Sequence, residues 1–104
     1  MVYTPAGINI LKSQVFEAWF SSLRDRQAKA RIAVRIRRLA LGNAGDVRPV
    51  GSGVSEMRID YGSGYRVYFK QRGTALVLLL CGGDKRSQIA NIRRAIEIAA
   101  DWEK

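Results

Sequence analysis

The sequence predicts an α+β domain in which an antiparallel sheet of four strands is combined with an N-terminal helical hairpin and a C-terminal helix. Three features carry this prediction. Apolar residues recur at helical spacing in two N-terminal segments and again near the C-terminus. Two central segments alternate between apolar and polar residues on either side of a turn rich in Gly and Ser. A short, wholly apolar run bounded by glycines follows, as expected of a strand covered on both faces.

The N-terminal segment predicts a short strand followed by a helix. The strand covers residues 8–12 and is entered through Pro5 and Gly7. Ser13 is suited to cap the next helix, about Gln14 to Leu23, because its hydroxyl can accept a hydrogen bond from a free backbone N–H of the first turn. The apolar residues that indicate this helix are Val15, Phe16, Trp19, Phe20 and Leu23.

A second helix, about Arg24 to Leu41, carries two stripes of different character. The apolar stripe consists of Ala28, Ile32, Ile36 and Leu39. The basic stripe consists of Arg31, Arg35 and Arg38. Like charges at this spacing repel by roughly a few tenths of a kcal/mol per pair. Either a group outside the helix neutralises them, or the helix face is solvated. The following segment, Gly42 to Gly53, is predicted to be a loop.

Residues 54–60 and 65–71 are predicted to form a β-hairpin with two different faces. Successive side chains of a strand point to opposite sides. One face is therefore apolar and contains Met57, Ile59, Tyr61, Tyr65, Val67 and Phe69. The other face, which we call the working face, contains Glu56, Arg58, Asp60, Arg66, Tyr68 and Lys70. It combines clustered positive charge with an aromatic ring on a rigid scaffold.

The C-terminal third predicts a strand, a basic turn and a helix. Residues 75–81 are apolar at every position and suit a central strand, in which Cys81 is expected to be a buried thiol. Lys85 and Arg86 lie in the turn before the last helix, about Gln88 to Trp102. The residues expected on the buried side of this helix are Ile89, Ile92, Ile96 and Ala99.

The composition narrows the possible partners and cofactors. The 104 residues include 18 Lys and Arg against 9 acidic residues, and a net charge of +9 favours nucleic acid, an acidic protein or an anionic membrane surface as partner. With no His and one Cys, neither a zinc site nor an internal disulfide is expected. No apolar run suits a transmembrane helix, and residues 1–10 lack the charged start of a signal peptide. We therefore expect a cytoplasmic protein without a metal or other cofactor.

Several of these segments match a known family in sequence and in order. The matching pieces are Phe16-Glu17-Ala18-Trp19, Leu23-Arg24-Asp25, Gly42-Asn43 with Gly45-Asp46, Gly53-Val54-Ser55-Glu56-Met57-Arg58-Ile59, Gly64-Tyr65-Arg66-Val67-Tyr68-Phe69 and Leu79-Leu80-Cys81-Gly82-Gly83-Asp84-Lys85, with Gln88 and Ile92. On these residues the chain resembles the RelE/ParE superfamily of toxins from bacterial toxin–antitoxin modules. It is most similar to the HigB-like branch of addiction module killer proteins.

This resemblance implies a two-layer RelE-like fold and the function of a toxin. The RelE-like members cut messenger RNA on the ribosome without a metal, through attack of a 2′-hydroxyl on the adjacent phosphate. By position, Arg66 matches the family arginine on the second hairpin strand, and Arg58 takes the place of a basic residue on the first. Lys85 and Arg86 match the basic pair before the last helix. A guanidinium can bind phosphate oxygens bidentately, so such residues stabilise the charge of the transition state.

Other residues complete the predicted site. The resemblance implies a Tyr or His on or near the last helix, but the chain contains no His and no tyrosine after Tyr68. Tyr65 and Tyr68 are therefore the aromatic candidates for catalysis, and by strand alternation only Tyr68 is expected to face the groove. The candidates for the general base are Glu56, Asp60, Asp84 and Lys85. The residues predicted to contact RNA are Arg86, Lys70, Arg48 and Glu56.

Two further functions remain open. The superfamily also contains ParE-like inhibitors of DNA gyrase, and a fold of this kind can serve as a non-catalytic RNA-binding or regulatory domain. The missing His and late Tyr favour these alternatives, whereas the basic working face favours the nuclease. Any toxin of this kind requires a cognate antitoxin, which in the HigB-like branch usually carries a helix-turn-helix DNA-binding domain. The predicted partners are this antitoxin and messenger RNA on the ribosome.

Overall fold

Five strands and three α-helices are present in the part of the chain that the computed structural model describes, residues 8–102. The strands are β1 (Asn9–Lys12), β2 (Val47–Gly51), β3 (Val54–Ile59), β4 (Tyr65–Arg72) and β5 (Leu76–Gly83). The helices are α1 (Gln14–Ser22), α2 (Arg26–Ala40) and α3 (Gln88–Trp102), and a 3₁₀ turn covers Lys85–Ser87. The α+β class is as predicted. Pro5 and Gly7, expected to lead into β1, lie outside the described residues.

The sheet is mixed rather than purely antiparallel. Its strand order is β1-β5-β4-β3-β2, and β1 pairs with β5 in parallel while the other neighbours are antiparallel. The predicted four-stranded antiparallel sheet is therefore wrong in strand number and in the direction of β1. A short apolar segment does not reveal its partner, because the direction of pairing is set by the long path of the chain between the two strands.

The additional strand, β2, lies inside the segment predicted to be a loop. It contains Pro49, which cannot donate a backbone hydrogen bond. Because a proline in a sequence pattern argues against a strand, the pattern predicts a loop for this segment. β2 is at the edge of the sheet, where a proline is tolerated. The turn into β3 has positive φ at Gly51, Ser52 and Gly53, and the pairing register shifts between Pro49 and Gly51.

The sheet buries a different cluster on each face. Helices α1 and α2 cover a cluster that contains Phe16, Ile32, Leu39, Met57, Ile59, Val67, Phe69, Val77 and Leu79. Helix α3 covers a cluster that contains Val54, Tyr68, Leu78, Leu80, Cys81, Ala95 and Ala99. Helices thus lie against both faces, instead of the two-layer arrangement expected. The prediction of a central strand at 75–81 is confirmed by β5, and Cys81 is buried as expected, with burial raising the pKa of its thiol to about 11.

Caps explain where the helices begin. Ser13 accepts a hydrogen bond from the backbone N–H of Phe16 at 2.9 Å, as predicted. Helix α2 begins later than expected because Asp25 is its cap and accepts from the N–H groups of Gln27 and Ala28. The buried side expected for α3 is wrong at Ile89, which is 75% exposed in the first turn of the helix. None of the helices within residues 8–102 is long and apolar enough to cross a membrane.

Replacement of Gly82 by alanine should destabilise the fold. A Cβ at this position would overlap the indole ring of Trp19, so the close approach of α1 to β5 depends on the missing side chain. Overpacking of this kind costs about 2 kcal/mol, measured as the loss in free energy of unfolding in urea. The same change made together with Trp19→Leu should cost clearly less, because the overlapping ring is gone. Equal costs in both backgrounds would contradict this account.

Candidate functional site

A buried carboxylate, Glu56, organises the working face. Its side chain is only 1% exposed. Oε2 accepts hydrogen bonds from the Tyr68 hydroxyl and from Nε2 of Gln88, both at 2.9 Å. Oε1 accepts from Nε of Arg58 at 3.0 Å, and Nε of Arg66 lies 3.5 Å from Oε2. One carboxylate therefore connects β3, β4 and the first residue of α3.

The register of the hairpin explains this cluster. Glu56 lies opposite Tyr68, and Arg58 lies opposite Arg66, in the antiparallel pairing of β3 with β4. Directly opposite residues share a face and have close Cβ atoms, about 5 Å apart. The alternation read from the sequence places all four on the same side of the sheet, as predicted. Gln88 comes from a distant part of the chain and reaches the cluster because α3 begins above it.

Opposing effects act on the pKa of Glu56. Burial by itself raises this pKa, but the hydrogen bonds from Arg58, Gln88 and Tyr68 and the charge of Arg66 outweigh it. The pKa therefore lies below the usual value for a glutamate, and the side chain is ionised at neutral pH. The carboxylate is a fixed negative charge that holds two guanidinium groups in place.

Arg66 is nearly buried but only partly satisfied. The residue is 7% exposed, and its Nε and Nη1 atoms have no hydrogen-bond partner among the described residues. Buried polar groups are nearly always hydrogen-bonded, so two buried nitrogens without a hydrogen bond, in a guanidinium that forms only an ion pair with Glu56, call for an explanation. A bound anion would supply the missing acceptors, and an arginine can present two parallel N–H groups to a phosphate.

Arg66 lines a cavity of about 230 Å³ at the end of the hairpin. The lining residues are Asp46, Arg58, Ile59, Asp60, Gly64, Tyr65 and Arg66. The side chain of Arg58 is 30% exposed, so one arginine is held deep and the other reaches toward solvent. This cavity, with its two opposed arginines, is what we call the arginine cavity. Two carboxylates, Asp46 and Asp60, line the cavity beside the cations.

Lys85 lies next to the arginine cavity, and Arg86 lies farther out. The backbone N–H of Lys85 donates to the carbonyl of Ser63 at 3.4 Å, and its Cβ lies close to Gly64 in the hairpin turn. The side chain of Arg86 is 86% exposed and forms an ion pair with Asp84 at 3.2 Å. The cations Arg58, Arg66 and Lys85 are therefore gathered at one end of the sheet.

The prediction that Tyr68 faces the groove is wrong. Its side chain is fully buried beneath α3. Burial, together with the hydrogen bond to the Glu56 carboxylate, raises the pKa of Tyr68 far above its usual range, so it remains a neutral donor. A hydroxyl without access to substrate cannot protonate a leaving group. Tyr65 is the aromatic residue that lines the arginine cavity, contrary to the strand alternation, because it stands at the end of β4 where the cavity opens.

The other predicted contact residues are divided between the cavity and more distant positions. Glu56 is buried, so it neither contacts RNA nor acts as a base. Arg48 is exposed on the edge strand directly opposite Glu56 and flanks the cluster. Lys70 is on the working face, but four residues along β4 from Arg66, or about 13 Å away. Its side chain lies beside Gly53. Lys70 is therefore not part of the arginine cavity.

The pattern-based prediction missed residues that arrive from other parts of the chain. Asp46 lines the cavity from the connection before β2, and Gln88 donates to Glu56 from α3. No local signal marks either residue, because their roles depend on tertiary packing. Within residues 8–102 no group of three or more His, Cys, Asp or Glu side chains is arranged to hold a metal ion.

Comparison with known proteins identifies a relative in Haemophilus influenzae. The two chains are 47% identical over 94 residues, which cover 90% of this chain and 95% of the other, a protein described as uncharacterized. The chain belongs to the family of this Haemophilus influenzae protein. No family model matches the chain, and no solved structure matches it. The family relation thus extends over nearly the whole length of both proteins.

Replacement of Glu56 by glutamine should destabilise the protein by about 3 kcal/mol, because it leaves the guanidinium of Arg66 buried without a counter-charge. The measurement is urea unfolding at neutral pH, followed by tryptophan fluorescence. Glu97→Gln, on the exposed side of α3, is the matched control and should change stability by less than about 0.5 kcal/mol. Similar small effects for both variants would refute the organising role of Glu56.

The contribution of Glu56 should also depend on pH. Its pKa in the folded protein is lowered relative to the unfolded chain, where glutamate has a pKa of about 4.3. The stabilisation is present above the unfolded value and is lost as the pH falls through the folded pKa. The stability difference between the wild type and Glu56→Gln should therefore be greatest at neutral pH and shrink below about pH 5. A difference independent of pH would exclude ionisation of Glu56 as the cause.

Proposed function

We propose that the protein is the toxin of a type II toxin–antitoxin module and a HigB-like member of the RelE/ParE superfamily. We further propose that it cleaves messenger RNA on the ribosome as a metal-independent endoribonuclease. One observation carries the catalytic part: the buried guanidinium of Arg66, in which Nε and Nη1 form no hydrogen bond, lines the arginine cavity opposite Arg58. The sequence likeness described above supports the family part.

In the proposed reaction the scissile phosphate occupies the arginine cavity. A base removes the proton of the neighbouring 2′-hydroxyl, and O2′ forms a bond to phosphorus. The bond from phosphorus to the 5′-oxygen breaks, which leaves a 2′,3′-cyclic phosphate and a 5′-hydroxyl. Negative charge builds up on the non-bridging oxygens, where Arg66 and Arg58 donate hydrogen bonds. Both arginines are permanent cations, so they stabilise charge and do not exchange the proton.

Among the carboxylates predicted as the base, Asp60 is the one that lines the arginine cavity. It is also exposed. The other carboxylates named as candidates are occupied: Glu56 is enclosed by its donors, and Asp84 accepts hydrogen bonds from Arg86. We propose that Lys85, next to the hairpin turn, supplies a proton to the leaving 5′-oxygen. The ring of Tyr65 offers a surface on which a neighbouring base can stack.

The partners follow from the same proposal. A toxin requires an antitoxin, here of the helix-turn-helix type, and an acidic segment of it would complement a chain with a net charge of +9. Messenger RNA on the ribosome is the substrate. We place the protein in the cytoplasm, where both occur.

One observation favours the ParE-like alternative, inhibition of DNA gyrase. Tyr68, predicted to serve in catalysis, is sealed under α3, and the chain contains no His. An inhibitor that binds protein needs no proton donor, and neither does a non-catalytic RNA-binding domain. In both alternatives the arginine cavity would serve in binding alone.

Arg66→Ala should reduce the rate of message cleavage by about two to three orders of magnitude, because this is the typical effect of removing one preorganised donor to the charge of the transition state. The measurement is primer extension on translating ribosomes with purified protein. Arg66→Lys should recover only a part, because an ammonium cannot bind the phosphate bidentately. The matched control is Arg72→Ala, which removes an exposed arginine from the far end of the same strand and should leave cleavage unchanged.

Unfolding in urea shows whether each variant is folded, so a loss of cleavage in a folded Arg66→Ala protein supports the nuclease. Intact messages with the wild-type protein, combined with gyrase-dependent DNA breaks, would replace this proposal with the ParE-like alternative. Intact messages and intact DNA, with no effect on growth, would leave a non-catalytic domain.

A further inference from the structure

The basic stripe of α2 forms a groove of its own. The groove has a volume of about 400 Å³ and lies between α2 and the end of β3. Its lining residues are Ala30, Arg31, Val34, Arg35, Arg38, Ile59 and Asp60. All three arginines of the stripe are included, so the positive charges identified in the sequence converge on one concave surface, which we call the α2 groove.

The charges of the α2 groove are not neutralised by carboxylates of the described residues. Within residues 8–102, no ion pair involves Arg31, Arg35 or Arg38. Arg35 donates instead to the backbone carbonyls of Arg58, Ala44 and Asp46, and is therefore a structural clamp. The carbonyls satisfy its N–H groups but do not cancel its charge. With three arginines and one carboxylate, Asp60, the lining keeps an excess of positive charge that an anionic polymer would offset.

The α2 groove adjoins the arginine cavity. Ile59 and Asp60, at the end of β3, line both. Arg35 connects the two from behind, since its guanidinium holds the carbonyls of Arg58 and Asp46, which belong to the walls of the cavity. A flexible anionic chain with one phosphate in the cavity can therefore pass the end of β3 and continue along α2.

The groove and its rim also offer surfaces for bases. The guanidinium of Arg31 lies 4.7 Å from the centre of the Tyr61 ring, and that ring stacks near Tyr65 of the arginine cavity. Val34 is 39% exposed in the floor of the groove. Unpaired bases stack on aromatic rings and on guanidinium planes, whereas the bases of a duplex are already stacked on each other. This combination favours a single strand.

We propose that the α2 groove binds the single-stranded RNA that flanks the cleaved phosphate, with Arg31 and Arg38 as its phosphate contacts. The proposal rests on the proposed function, because it extends the same RNA strand beyond the arginine cavity. The groove increases the affinity for longer RNA through contacts with its charged backbone. Its arginines need not touch the reacting atoms.

The test compares short and long RNA. Fluorescence anisotropy is measured with a tetranucleotide and a dodecanucleotide of 2′-O-methyl RNA, which cannot be cleaved. The double variant Arg31→Ala/Arg38→Ala should bind the dodecanucleotide roughly tenfold more weakly, and its salt slope should fall by about 1.4 for the loss of two phosphate contacts. Binding of the tetranucleotide should stay unchanged. Arg35 is left intact because it clamps the backbone.

Arg37→Ala is the matched control, since Arg37 lies on α2 but lines a different pocket, with Ile36 and Ala40. An equal effect of Arg37→Ala and of the double variant would overturn the groove as a contact surface. Equal affinity for a duplex of the same length would overturn the preference for a single strand. Equal affinity for polyglutamate at the same salt concentration would show a general anion surface and overturn the assignment to RNA.

Binding of the tetranucleotide distinguishes a failure of this inference from a failure of the proposed function. If Arg66→Ala weakens tetranucleotide binding but the dodecanucleotide gains nothing from Arg31 and Arg38, the groove alone is refuted. If the tetranucleotide does not bind, or binds independently of Arg66, the arginine cavity is refuted as the phosphate site and the inference falls with it.

Discussion

The structure depends on one buried negative charge between two positive ones. Arg58 and Arg66 lie directly opposite each other across two strands, where like charges repel. Glu56 offsets this repulsion by pairing with both, and its own desolvation is compensated by donors from Tyr68 and Gln88. Removing any one partner would leave a buried group unsatisfied. The same contacts fix the arginines in place, so the site is organised before any ligand arrives.

The position of α3 divides the working face into a structural part and an accessible part. Glu56, Tyr68 and Cys81 form one row across the sheet and are buried beneath the helix. The next row, Arg58 and Arg66, ends at Gly83, where Asn91 and Ser87 approach so closely that a Cβ would collide with them. The sheet face is continuous, but the helix covers the rows that contain Val54 and Glu56 more completely than the row that contains Arg58. The arginines therefore lie at the rim of the helix, where an anion has access to them.

The arginines of the chain differ in what their charge is used for. Arg66 is buried and paired with Glu56. Arg35 instead donates hydrogen bonds to backbone carbonyls and so connects the segment before β2 with the end of β3. Arg31 lies over the ring of Tyr61, which in turn donates a hydrogen bond to the capping residue Asp25. These arrangements hold positive charge on both sides of the end of β3 and keep it in fixed geometry. An extended anionic ligand would find a preorganised path there.

The sequence by itself determined the α+β class, the helices, the central strand and the face of the hairpin on which the arginines lie. These follow from local periodicity and from the cap at Ser13, both of which act within a few residues. Only the tertiary structure decided the edge strand β2, the parallel pairing of β1 and the burial of Tyr68. Periodicity states which side chains share a face, but not which helix will cover it. Tyr68 and Arg66 are equivalent in the alternation, and the place where α3 begins makes one a core residue and the other a wall of the cavity.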